Sequence, residues 1–409
     1  MIGIKTIDIK EIPIKLIWIV ALLSIIGLIA LKSIAQHHPG NLYQNPFSKQ
    51  FLFLIPAVLI CIFILFIPRY TIHKYAYLFY VIGIIIVLLP FFDQSHVGTH
   101  RWLDIGLPFN LQPSEFAKVF TSLALARYLS DHNLQMKQFS SVIIPIVLVL
   151  IPTCVVLYQP DLGTAIILMT PVLPMLSWSG ARPFHLFLLL APIFSFITAF
   201  HNLAFTIYAI LLGLIIILER PKIVLALSLF FGNIFLGLLS PVLWNSLKPY
   251  QQNRILTLFN PDKDPLGAAY QIIQSKTAIG SGGLFGKGWG AGTQTHLKFL
   301  PVQESDFILS VLAEEMGFIT IFIVLVLFGY FMYQIIKYSY LSKDRFSSLV
   351  LIGFATTFLA HVFVNTAMTV GLIPVKGLPF PFISAGGSFL ITSYLMLGLI
   401  LKLSVNYSD

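Results

Sequence analysis

The chain has 409 residues, of which 57% are hydrophobic and only 10% charged, and its mean hydropathy is +0.89. Soluble domains carry about 25% charged residues, so a water-soluble globule is excluded, as are a disordered chain, a collagen and a coiled coil. The formal charge of +9 comes from scattered Lys and Arg; no cluster is dense enough for nucleic acid, and in a membrane protein basic residues first report orientation.

About 20 apolar residues cross a bilayer core as a helix. Runs of this kind stand at 16–35, 50–67, 75–92, 113–130, 141–158, 163–179, 184–200, 203–219, 223–244, 307–333, 347–370 and 384–405. The expected fold is therefore all-α: a single polytopic bundle of about 10–12 transmembrane helices. The first run follows Lys5, Lys10 and Lys15 like a signal peptide, but no small-residue cleavage site comes after it, so it is read as a retained helix. The short runs within 184–219 could instead be a re-entrant pair. Cys61 and Cys154 both lie inside apolar runs, which predicts neither a disulfide nor a zinc site.

Basic residues set the orientation. With the N-terminus in the cytoplasm, fourteen Lys and Arg fall on inward segments, and only Lys32, Lys49, Arg101, Lys118 and Lys376 fall on outward loops and helix ends. Both termini are then cytoplasmic. The long, Gly-rich segment 245–306 faces outward, and loops beyond about 12–15 residues are usually functional or disordered. A second outward segment, 371–383, holds Pro374, Pro379 and Pro381. Such backbone is tolerated at a membrane when packed on protein or lining a cavity.

Ionisable residues inside a membrane are costly and usually functional. Glu115 and Lys118 share one helix face by their i, i+3 spacing; they form either a self-satisfying ion pair or the wall of a cavity for a charged headgroup. Arg101 beside Trp102 is either an interfacial anchor or a contributor to that cavity. In Gln159-Pro160-Asp161-Leu162-Gly163, Asp161 either caps the next helix or faces Arg101 or Lys118. Seven glycines crowd 280–292. The phosphate-loop and dinucleotide patterns both fail there, which leaves a backbone nest for phosphate or a mobile lid.

Asp306 opens the span 307–333. It is either a helix cap, its charge favoured by the exposed amides, or a general base at the membrane surface. Glu304 is two residues away. Glu314 and Glu315 are intramembrane acids that need partners, with His361 or backbone groups as candidates. The histidines show no metal pattern, and no zinc-protease or hydrolase motif occurs.

Together these residues resemble the SEDS family (shape, elongation, division and sporulation proteins), most closely its RodA branch. The resemblance rests on Arg101-Trp102, Gln112-Pro113-Ser114-Glu115 with Lys118, Gln159 to Thr164, Tyr250-Gln251 with Arg254, and Asp264-Pro265-Leu266-Gly267. It continues through Tyr270-Gln271, Gln274-Ser275, Ala278 to Gly283, Gly292-Thr293-Gln294, Phe299-Leu300-Pro301 and Ser305-Asp306-Phe307. It ends with Asn365, Met368, Gly371, Pro374, Pro381 to Ser384 and Gly386-Gly387-Ser388. This ordered set covers most of residues 70–400.

The resemblance implies a peptidoglycan glycosyltransferase of the bacterial cytoplasmic membrane. It would polymerise lipid II on the outer face during elongation, together with a class B penicillin-binding protein. By motif, the family's essential loop aspartate falls on Asp306, and its cavity residues fall on Arg101, Glu115, Lys118 and Asp161. Asp306 would be the base and the two cations would stabilise the leaving diphosphate. A divalent cation could share that role, although no dedicated ligand set is visible. The chain departs from the family at Val302, where Glu is usual, at Glu304-Ser305, where His-Thr is usual, and at Ala385, where Tyr is usual. Ten spans are usual, so an inserted helix pair is expected near 184–219. The rival readings are a lipid II flippase and a non-enzymatic scaffold.

Overall fold

A computed structural model describes residues 12–36, 45–92, 101–104, 110–131, 140–260, 264–267, 269–297 and 299–405. Lys5, Lys10 and Lys137, three of the fourteen basic residues placed on inward segments, lie outside the described residues. The chain is a helical bundle. Its elements are α1 (Ile14–Gln36), α2 (Pro46–Phe66), α3 (Arg69–Leu88), β1 (Leu103–Asp104), β2 (Asn110–Leu111), α4 (Pro113–Asp131) and α5 (Ser140–Tyr158). Then come α6 (Leu162–Met169), α7 (Val172–Trp178), α8 (Pro183–Thr198), α9 (Asn202–Glu219) and α10 (Ile223–Ser246). The segment 245–306 holds α11 (Pro249–Phe259), α12 (Tyr270–Gly282) and α13 (Thr293–His296), and α14 (Ile308–Leu341), α15 (Arg345–Thr369) and α16 (Gly387–Leu403) complete the chain.

Each of the twelve apolar runs is helical, and among the described residues eight helices are long and apolar enough to cross a membrane. The others deviate for visible reasons. α4 carries Glu115, Lys118, Arg127 and Asp131. The run 163–179 is not one helix: it breaks at Thr170-Pro171 into α6 and α7, where proline has no N–H to continue the ladder. The run expected to end near residue 333 continues to Leu341 and kinks at Gly317 (φ 80°). There the backbone passes against Leu284 and Gly286 of the glycine-rich turn, leaving no room for a Cβ. The segment 245–306 is not irregular throughout, since α11, α12 and α13 lie within it.

α15 is the most buried of the membrane-length helices and packs against α4, α7 and α14. The proline-rich segment after α15 returns into the bundle. Its Phe380 and Phe382 join Phe328, Phe331 and Phe358 in an aromatic cluster, with centroids 5.3 Å apart for Phe358–Phe382 and 5.7 Å for Phe328–Phe380. These rings are fully or almost fully buried. That burial explains how non-helical backbone persists at this depth. α8, α9 and α10 form a satellite around Ala191, Tyr208, Leu212 and Ile216, separate from the main core. Most of their remaining surface is exposed and apolar, as lipid contact requires.

Candidate active site

The first turns of α4, α6, α14 and α16 gather around the segment 376–388. At α4, the Gln112 N–H donates to Ser388 Oγ at the start of α16 (2.9 Å), and Gln112 Nε2 donates to Asp161 Oδ2 at the start of α6 (3.0 Å). Gly163 abuts the Lys376 carbonyl so closely that a Cβ would lie 2.9 Å from it. Ahead of α14, the Ser305 carbonyl accepts from Ser384 Oγ (2.6 Å) and the Glu304 carbonyl from the Ala385 N–H (2.8 Å). Asn365 Nδ2 donates to the carbonyls of Asp306 (3.0 Å) and Leu378 (2.8 Å), tying α15 to both.

Asp306 sits in the turn 301–307, one residue ahead of the Phe307 cap, and its side chain does not cap α14. Its carboxylate accepts from Ser305 Oγ at 2.9 Å. Oδ2 faces the Gly377 backbone (φ 69°), where an added Cβ would stand 3.6 Å away. Burial, reinforced by the charge of Glu304 and opposed by the Ser305 hydrogen bond, pushes its pKa up to about 6. The exposed amides therefore do not govern this carboxylate as expected; loss of solvent outweighs them.

Asp161 is a helix cap, accepting from the Thr164 N–H (3.1 Å) and Thr164 Oγ1 (2.9 Å). Arg101 donates to the carbonyls of Gln159 (3.2 Å) and Pro160 in the same turn. The guanidinium thus holds the turn's backbone and leaves the Asp161 carboxylate to Gln112. Glu115 and Lys118 form a buried ion pair of 2.7 Å. Lys118 Nζ also donates to His361 Nε2 (2.9 Å) and lies 5.4 Å from the Phe389 centroid, while Thr392 Oγ1 approaches Glu115 at 3.4 Å.

The intramembrane acids have other partners than His361. Glu314 accepts five hydrogen bonds: from Lys287 Nζ (2.8 Å), Thr293 Oγ1 (3.1 Å), the N–H groups of Gln294 (2.9 Å) and Thr295 (3.2 Å), and Thr295 Oγ1 (2.9 Å). Glu315 accepts from Ser33 Oγ (2.8 Å) and the Gly290 N–H (3.2 Å) and lies 3.1 Å from His296 Nε2. Gly286, at φ 81°, runs against the Glu315 backbone where a Cβ would collide. The glycine-rich turn therefore packs on these two residues: the Gly290 N–H is spent on the Glu315 carboxylate and the Lys287 and Gly288 N–H groups on the Glu314 and Glu315 carbonyls, so they form no phosphate nest, and the turn is fastened to α14 and α1. Gly282 and Gly286 serve close approach to the α14 backbone.

Residue-type reasoning missed Gln112, Asn365, Ser384 and Thr392 as parts of the site. Of the partners it offered for Glu314 and Glu315, backbone groups are found there and His361 is not: His361 meets Lys118 instead. Among the described residues no group of three or more His, Cys, Asp or Glu could hold a metal ion.

The model of the FtsW, RodA and SpoVE cell cycle proteins matches residues 14–210 and 191–409. The chain belongs to this family. The Escherichia coli K12 peptidoglycan glycosyltransferase MrdB is 34% identical over 328 residues, covering 80% of this chain and 76% of the relative. Stage V sporulation protein E of Bacillus subtilis is 31% identical over 396 residues, covering 95% and 96%. Among solved structures, a chain of a peptidoglycan synthase complex that coordinates polymerization and crosslinking aligns with TM-score 0.72 and 26% identity, over 97% of this chain and 99% of that one. The Thermus thermophilus rod shape determining protein RodA aligns with TM-score 0.64 and 23% identity, over 97% and 98%. With eight membrane-length helices, this FtsW/RodA/SpoVE family member is a multi-pass membrane protein.

Proposed function

We infer that this chain is a peptidoglycan glycosyltransferase that polymerises lipid II into glycan strands on the outer face of the bacterial cytoplasmic membrane, in cell-wall elongation and shape maintenance. The observation that carries this reading is the meeting of four helix N-termini, a buried cation and one poorly solvated carboxylate around the segment 376–388. Helix N-termini expose N–H groups and positive potential, the environment a diphosphate needs. Asp306 supplies a base whose pKa lies near the working pH.

The reaction follows from these parts. Asp306 takes the proton of the acceptor sugar hydroxyl. The hydroxyl oxygen attacks the anomeric carbon of the donor, and the bond from that carbon to the diphosphate oxygen breaks. The bonding pair leaves with the lipid diphosphate, whose charge Lys118 and the helix N-termini stabilise. Glu115 orients Lys118, while Arg101 and Asp161 shape the turn that opens α6. The described residues provide no ready ligand set for a divalent cation.

Apolar helix surface holds the polyprenyl tail. N-in, C-in topology puts all four N-termini on the outer side, where the substrate headgroup lies. A class B penicillin-binding protein is the proposed partner; the relative in the synthase complex, in which polymerization and crosslinking are coordinated, supports it. The pair near 184–219 is read as an insertion into the family's usual ten spans.

The test uses vesicles containing the purified protein, its cognate transpeptidase and labelled lipid II, with Asp306→Ala beside the wild type. Polymer from the wild type alone supports the reading. Transbilayer movement of lipid II without polymer favours a flippase, and neither activity favours a scaffold.

A further inference from the structure

We propose that His361 is a positioning residue that, together with Glu115, fixes the Lys118 ammonium so that its third N–H is presented to the substrate diphosphate. The inference rests on the reading of Lys118 given above. A lysine ammonium has three donors and no acceptor. Lys118 gives one to Glu115 Oε2 at 2.7 Å and one to His361 Nε2 at 2.9 Å. Among the described residues no third acceptor lies within hydrogen-bond distance, and the Phe389 ring covers another side at 5.4 Å. One N–H is left for a ligand.

Glu115 cannot set this geometry alone. It sits three residues before Lys118 on the same helix, so it restrains the ammonium only relative to α4. His361 comes from α15 and supplies the second, independent anchor. A free lysine side chain is rich in rotamers, and two anchors on different helices remove most of that freedom before substrate arrives. His361 is fully buried, and its ring packs on Phe389 at 4.7 Å between centroids. To accept from Lys118, Nε2 must offer its lone pair, so the imidazole is neutral with its proton on Nδ1. The three groups then carry one anion and one cation.

The Pro379 backbone lies beside the same ring. Pro379 is flanked by Leu378, whose carbonyl is held by Asn365, and by Phe380, whose N–H donates to Ser384 Oγ at 2.8 Å. Both bonds belong to the wall around Asp306. His361 therefore spaces the leaving-group cation from the wall of the base.

The experiment compares His361→Leu, His361→Gln and Lys118→Ala in vesicles with the cognate transpeptidase, measuring initial polymerisation rate against lipid II concentration, with melting temperatures alongside. Leucine fills the site but cannot accept; losing a hydrogen bond to a charged group lowers kcat/KM about ten- to hundredfold, and kcat carries most of the loss, because Lys118 stabilises charge that develops on the leaving diphosphate. The glutamine carbonyl can accept from Lys118 and holds kcat/KM within about threefold of wild type. A purely packing role would give the opposite order, because leucine suits an apolar surround better than glutamine does. Wild-type kcat/KM in His361→Leu, or equal losses in both variants, overturns the proposal. If Lys118→Ala is inactive while His361→Leu is unaffected, only this inference falls. If Lys118→Ala polymerises normally, the reading of Lys118 falls and takes the inference with it.

Discussion

Asp306→Asn should abolish polymerisation while making the protein more heat-stable at pH 8. The carboxyl is held at a pKa of about 6 against an ordinary 3.8. One pKa unit is about 1.4 kcal/mol, so ionising Asp306 in place costs about 3 kcal/mol. Part of the side chain still meets solvent, so this figure is an upper bound. Because the folded pKa is raised, the folded state binds the proton more tightly than the unfolded chain does. The relative stability is full below about pH 4 and is lost as pH rises through about 6. An asparagine has no charge to bury and can still accept from Ser305 Oγ. The variant should therefore match the wild type near pH 4 and exceed it by up to about 3 kcal/mol at pH 8. The assay is thermal unfolding in detergent across this range, paired with lipid II polymerisation at neutral pH. A variant that is less stable at pH 8, or whose advantage does not change with pH, refutes the description of the carboxylate. A variant that still polymerises refutes its role as base.

The wild-type rate should be flat above about pH 7 and fall about tenfold per unit below about 6, because only ionised Asp306 accepts a proton; a profile flat to pH 4.5 contradicts this. Glu314→Ala strands five donors, some of them buried, and should cost about 3–5 kcal/mol. Limited proteolysis should then cut within 286–297, and resistance equal to wild type counts against the clamp. Glu115→Gln breaks a buried ion pair and should destabilise by about 3–5 kcal/mol. The double variant Glu115→Leu with Lys118→Met should recover most of that stability in thermal unfolding yet remain inactive; polymer from it would show that the cation is dispensable.

Much of the architecture was legible in the sequence because lipid imposes a one-dimensional rule: about 20 apolar residues make a span. All twelve runs are helical, and even the break inside 163–179 had its marker in Pro171. The segment 245–306 was harder. The chain from Asn245 to Asp306 lacks the long apolar runs on which the reading depended, so α11, α12 and α13 were not anticipated. The glycines at 280–292 could be seen but not interpreted, because their use depends on Glu314 and Glu315 packing against them.

The site divides along the same line. Local spacing put Glu115 and Lys118, three residues apart, on one helix face, and made their ion pair and the Asp161 cap each one of two readings. It said nothing of Lys118 with His361, separated by 243 residues, or of Gln112 with Ser388, separated by 276. Asp306 was found from its motif, but its protonation was misjudged: a helix start suggested a favoured charge, whereas the segment 376–386 folds over it and removes solvent. The sequence by itself determined a multi-span bundle, its family and the residue types available for chemistry, since these follow from hydropathy and ordered motifs. Only the tertiary structure decided which charges meet, which are buried and which amides are already taken, because desolvation and hydrogen bonding act between neighbours in space that lie hundreds of residues apart along the chain.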